Sequence, residues 1–160
     1  MRKILLVFVF IFGVLGCSDK KIIVHEPLKN ELLAYTSKAE IINDTNRTLI
    51  IATYLNPIYQ SKISIKGEEK FLVAISPKEN EIDASSVKVN NESNATSLRL
   101  LDKNDELLSL AGFNMPWAAY YEISAPSKSS DKLNLTFEIY PSQKVSLEFQ
   151  KVAKSLYWNP

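Results

Sequence analysis

Residues 133–152, LNLTFEIYPSQKVSLEFQKV, decide the fold, with strands expected at Leu133–Tyr140 and Val145–Val152. Leu133, Leu135, Phe137 and Ile139 alternate with Asn134, Thr136, Glu138 and Tyr140. Successive side chains of a strand point to opposite faces, so this period of two buries one face and leaves the other in water. Pro141-Ser142-Gln143-Lys144 then supplies a turn, after which Val145, Leu147 and Phe149 repeat the pattern against Ser146, Glu148 and Gln150. Two such runs around a short turn predict an antiparallel hairpin covered on one face.

Upstream, the chain reads as short apolar, β-branched or aromatic runs separated by polar turns, with few helix signals. Strands are expected at Tyr35–Ile42, Thr48–Leu55, Lys70–Ser76, Val87–Val89, Ser97–Leu101, Leu107–Leu110 and Ala118–Ser124. Asp102 to Glu106 reads as the turn of a second hairpin joining Leu98–Leu101 to Leu107–Leu110. Thr48–Leu55, TLIIATYL, is almost continuously apolar and predicts a central strand covered on both faces. Strand count and a spacing of roughly 8 to 12 residues predict an all-β fold, an antiparallel immunoglobulin-like β-sandwich of about seven to nine strands. A small β-barrel or a jelly roll is the alternative, because the Cys…Trp…Cys hallmark is absent.

At the other end of the chain, MRKILLVFVFIFGVLGC (1–17) has a positive start in Arg2 and Lys3, an apolar run from Ile4 to Val14, and Gly16 before Cys17. Crossing about 30 Å of hydrocarbon takes roughly 20 apolar residues, and this run is shorter, so it reads as an export signal. Val14-Leu15-Gly16-Cys17 resembles the lipobox of bacterial lipoproteins, and the leader is similar to those of small lipoproteins of Campylobacter-like bacteria. The resemblance implies a signal peptide over 1–16, removed before Cys17, and a diacylglycerol with palmitate-type acyl chains on that cysteine. It also implies a bacterial cell-envelope location, lipid-anchored in a membrane, with Ser18 favouring the outer membrane over the inner. Residues 17–31 then form the lipidated cysteine and a tether containing His25 and Pro27, and residues 32–160 a single sandwich domain.

Composition narrows the chemistry. The chain carries 19 basic and 18 acidic residues. Losing Arg2 and Lys3 with the leader takes the formal charge from +1 to −1, a balance that argues against nucleic acid as a partner. Cys17 is the sole cysteine, so the domain has no disulfide and no multi-cysteine metal site. His25 is the sole histidine, which leaves the domain without the usual general base for Ser or Thr. The turn around Asp102 lacks the Gly and distal Glu of a calcium loop. Adjacent acids such as Glu68-Glu69 face opposite sides of a strand. The expectation is a non-enzymatic binding or structural module with no cofactor and no metal, held by its lipid and engaging an envelope protein. A surface adhesin or glycan-binding lipoprotein is the alternative, and an envelope hydrolase ranks below both.

Three features remain. Trp117, Tyr120 and Tyr121 cluster near Pro116, and such side chains either pack a sandwich core or form a recognition patch. Five Asn-x-Ser/Thr triplets occur, at Asn43, Asn46, Asn91, Asn94 and Asn134. Those at Asn46 and Asn94 carry an acid two residues earlier, resembling the longer acceptor motif of Campylobacter-type N-glycosylation, so these two are the candidate glycosylation sites. Leu156 and Trp158 are expected to fold back onto the domain rather than stay in water.

Overall fold

The computed structural model describes residues 32–43, 46–59, 63, 65, 67–111 and 115–152. Cys17, the leader, the tether with His25, and residues 156–160 lie outside the described residues. Among the described residues there are eight strands: β1 Thr36–Asn43, β2 Asn46–Tyr54, β3 Glu68–Ser76, β4 Ile82–Val89, β5 Ser97–Leu100, β6 Ala119–Pro126, β7 Lys132–Ile139 and β8 Gln143–Gln150. A helical turn at 32–34 precedes β1, and two short helices, α1 Asn56–Tyr59 and α2 Glu106–Ala111, interrupt the strands.

The strands form two antiparallel sheets, ordered β1-β2-β3-β6-β5 and β4-β7-β8. With β1 set aside, β2-β3-β6-β5 over β4-β7-β8 is the ABED-over-CFG order of a constant-type immunoglobulin sandwich. The expected fold class therefore holds, with β1 as an addition. The 132–150 hairpin pairs as its alternation requires: Leu135 stands opposite Leu147, and Phe137 opposite Val145. These inward residues meet Ile50, Phe71, Val73 and Ile123 of the larger sheet in one core. Full burial of each such side chain is worth about 1.5–3 kcal/mol. Asn134, Thr136 and Glu138 face away from that core.

The larger sheet is covered on its other face too. Leu55, Tyr59, Leu72, Leu108 and Tyr120 form a second apolar cluster there, with Ile51 packed against it. That second layer explains why TLIIATYL reads as apolar without alternation.

One expected strand is a helix. Leu107–Leu110 belongs to α2, and β5 pairs with β6 instead, Leu100 opposite Tyr121. Asp105 decides this locally: its Oδ1 accepts from the Leu107 backbone N–H at 3.0 Å, an N-cap for a run rich in Leu and Ala. Arg99 of β5 then fastens the cap, with Nη1 2.6 Å from Asp105 and Nη2 2.6 Å from Glu122.

The sandwich has two distinct ends. At the base lie Leu32 to Tyr35, the loop after β6, and Lys151; here the Tyr54 N–H donates to Tyr35 O. Glu69, 1% exposed, gathers the base. Its carboxylate accepts from Tyr54 Oη at 2.6 Å, Asn56 Nδ2 at 3.3 Å, Ser127 Oγ at 3.2 Å and Lys128 N at 2.9 Å, and pairs with Lys151 Nζ at 2.6 Å. At the tip lie the turn between β1 and β2 and the loops after β3, β5 and β7. β3 spans nine residues between the ends, roughly 26 Å at about 3.3 Å per residue.

Candidate binding groove at the tip

The loop after β5 and the one after β3 enclose an open groove of roughly 470 Å³. Its formation follows from two tied turns. Leu101 N donates to Tyr120 O at 2.8 Å, holding the end of β5 against β6. Ala118 N donates to Met115 O at 3.1 Å, closing a turn with Pro116 and Trp117 at its centre. Proline suits the first central place of such a turn. Met115 N also donates to the Tyr120 hydroxyl at 2.7 Å, which pins the turn to the sheet.

The structure separates the three aromatic residues of the sequence-level patch. Trp117 is 60% exposed, so it is not a core tryptophan, whereas Tyr120 and Tyr121 are 7% and 6% exposed. Tyr121 points into the main core and Tyr120 into the second cluster, as neighbours on a strand must. Both still contribute to the groove wall. Burial raises the Tyr121 hydroxyl above the ordinary phenol range, and the nearby Glu81 carboxylate raises it further, against a smaller opposing effect of the Ile82 backbone. It therefore stays a neutral group across physiological pH.

Two further exposed apolar side chains lie at the tip: Leu100, at the end of β5, lines the groove, and Tyr140, whose N–H donates to Glu81 O at 3.0 Å, lines a separate small cleft with Asp83 and Glu138. Neither stood out as a site in the sequence, although the alternation of β7 places Tyr140 on the solvent face. Between the loops after β3 and β5, Pro77, Lys78, Glu79, Pro116 and Trp117 line a shallower cleft. The groove rim carries Lys78, Lys103, Glu81 and Asp102, two charges of each sign. Such a surface suits an occupant with an apolar body and a few polar groups, and offers no field for a polyanion. Among the described residues, no group of three or more His, Cys, Asp or Glu could hold a metal ion.

A larger opening, about 660 Å³, lies at the base between Tyr35, Asn134 and Phe149. Ala34 and Tyr35 line it together with the nearly buried Leu133 and Phe149 and with polar residues such as Asn90, Asn91 and Gln150. The two candidate glycosylation sites fall at opposite ends. Asn46 is exposed at the tip, but the Thr48 hydroxyl of its triplet is buried and accepts from Asn80 Nδ2 at 2.8 Å. Asn94 is exposed at the base in a turn closed by Thr96 N to Ser93 O.

No helix among the described residues is long and apolar enough to cross a membrane. Comparison with protein-family models, curated proteins and solved structures returns no match.

Proposed function

We propose that this chain is a bacterial envelope lipoprotein, anchored through Cys17 to a membrane and preferentially to the outer one, whose sandwich domain works as a non-enzymatic binding module. The order of charge, apolar run, Gly16 and sole cysteine in residues 1–17 carries the reading. Two or more acyl chains on that cysteine would give stable attachment where one gives only reversible binding. The tip groove, with Trp117 and Tyr140 exposed beside a rim of mixed charge, supports the binding role, because aromatic side chains dominate recognition surfaces.

Metabolic labelling with an alkyne fatty acid, followed by membrane fractionation of wild type and Cys17→Ala, tests the anchor. Label and membrane association should both vanish in the variant, and an unchanged membrane-bound variant overturns the reading. The exposed Trp117 beside Lys78 and Glu79 favours one alternative, a surface-exposed glycan-binding lipoprotein. Protease added to intact cells separates the two: a surface form is cleaved and an inward-facing one is spared. Glycans on Asn46 and Asn94 are part of the proposal, and intact-mass measurement of protein from the native host decides them.

A further inference from the structure

In a constant-type sandwich the first strand begins at the end that holds the loops between B and C and between F and G. Here β2 occupies that place, and it runs from the tip, where Leu49 stands opposite Ser76, to the base, where Tyr54 stands opposite Phe71. A chain starting at β2 would enter the domain at the tip. β1 reverses this. It pairs with β2 along its whole length, Thr36 opposite Thr53 and Asn43 opposite Asn46, and so carries the entry point to the base. There the Thr36 hydroxyl donates to Leu32 O at 2.7 Å, a short distance in sequence from the tether.

Beyond pairing with β2 and touching β8 across the sandwich, β1 buries little. None of its eight residues is fully buried, and only Ala39 and Ile41 pack against the main core. Fixing its backbone costs about 1–2 kcal/mol per residue, so an outer strand with such thin packing is better explained by where it places the chain than by what it buries.

The exposed large apolar residues divide accordingly. Ile42, Leu100, Trp117 and Tyr140 lie toward the tip, and Leu33 and Val152 lie at the base.

We infer that β1 is an orienting strand: it puts the lipid-anchored N-terminus at the base, so that the tip, with its groove and the exposed Trp117 and Tyr140, faces away from the anchoring membrane, toward a partner beyond that leaflet. The inference rests on the anchoring proposed above. An extended tether of 15 residues reaches about 50 Å, and the sandwich adds roughly 26 Å. Entry at the base keeps the tip about 26 Å farther along the chain's path from the lipid than the base is.

The sole native cysteine would be blocked by lipid, so single cysteines placed at exposed Ser142→Cys (tip) and Ser129→Cys (base) each take one donor dye. The lipidated full-length mature protein is bound to phosphatidylethanolamine–phosphatidylglycerol vesicles carrying an acceptor dye on the lipid headgroup. Energy transfer from the base dye should exceed that from the tip dye by about twofold or more, given the roughly 26 Å between the ends. Equal transfer, or greater transfer from the tip, overturns the inference while leaving the anchor intact. Failure of the lipidated protein to float with the vesicles removes the anchoring proposal and the inference together.

Discussion

Lys151, just beyond the end of β8, places its ammonium 2.6 Å from Oε1 of Glu69, near the start of β3 and 1% exposed. The same ammonium donates to Lys128 O. One side chain thus joins the last strand, the loop after β6 and a carboxylate at the edge of the core. Burying a charge is costly unless it is paired and hydrogen-bonded, and Glu69 meets that condition with five partners. Glu69→Ala should destabilise the domain by about 3–5 kcal/mol, because it strands the partners of a buried pair. Lys151→Met should cost less, about 1–3 kcal/mol, since four neutral donors still serve the carboxylate. Urea unfolding of both variants and of the double variant checks this, and the double variant should lose less than the sum of the singles.

The same carboxylate sets a pH dependence. Burial alone would raise the Glu69 pKa, but the hydrogen bonds from Lys151, Tyr54 and the Lys128 backbone outweigh it and hold the group below the usual carboxylate range. A carboxyl whose pKa is depressed by folding contributes stability that is present above its unfolded value of about 4.3 and is lost as pH falls through the folded value. Wild type should therefore lose stability on acidification below about pH 5. Glu69→Gln should be less stable at pH 7 but should lose less between pH 7 and pH 3. Asp105, also lowered, by the Leu107 backbone and by Arg99, leaves a residual slope of the same sign. Unfolding midpoints measured at both pH values provide the comparison.

Trp117 and Tyr121 stand four residues apart and should respond in opposite ways. Trp117→Ala removes a side chain that is mostly in water, and its effect on stability should stay within about 0.5 kcal/mol. Tyr121→Ala empties a place in the main core and should cost about 3–5 kcal/mol. Thermal unfolding of the two variants side by side distinguishes them; a large loss at Trp117 would argue against its role as an exposed binding residue.

The cap at Asp105 predicts a graded series. Asp105→Ala should lose about 0.5–2 kcal/mol, typical of a missing N-cap. Asp105→Asn keeps an acceptor for the Leu107 N–H and forfeits only the charge facing Arg99, so it should fall between wild type and Ala. Unfolding midpoints order the three proteins.

How much of this was legible in the sequence depended on which forces were local. The period of two in β7 and β8 marks a sheet with one wet face, and the unbroken apolar run of β2 marks a strand covered twice. Leu107–Leu110 misleads because four apolar-rich residues fit a strand or a helical turn equally well, and a single capping hydrogen bond decides between them. Glu69 reads only as an acid on the strand face opposite Glu68 until the distant Ser127, Lys128 and Lys151 are brought to it, a convergence that no local pattern encodes. Trp117 was ambiguous for a similar reason: a turn closed by Met115 and Ala118 turns it outward, and only the fold shows which side of that turn faces water.

Covering both faces of the larger sheet has a consequence for amide exchange. β3 lies between β2 and β6 and beneath the second apolar cluster, so its N–H groups should exchange with solvent only when the whole domain opens. β5, four residues long and paired on one side only, should exchange through local fraying. Deuterium uptake would then read the sandwich as a slow central strand flanked by a fast margin, and that margin is one wall of the groove.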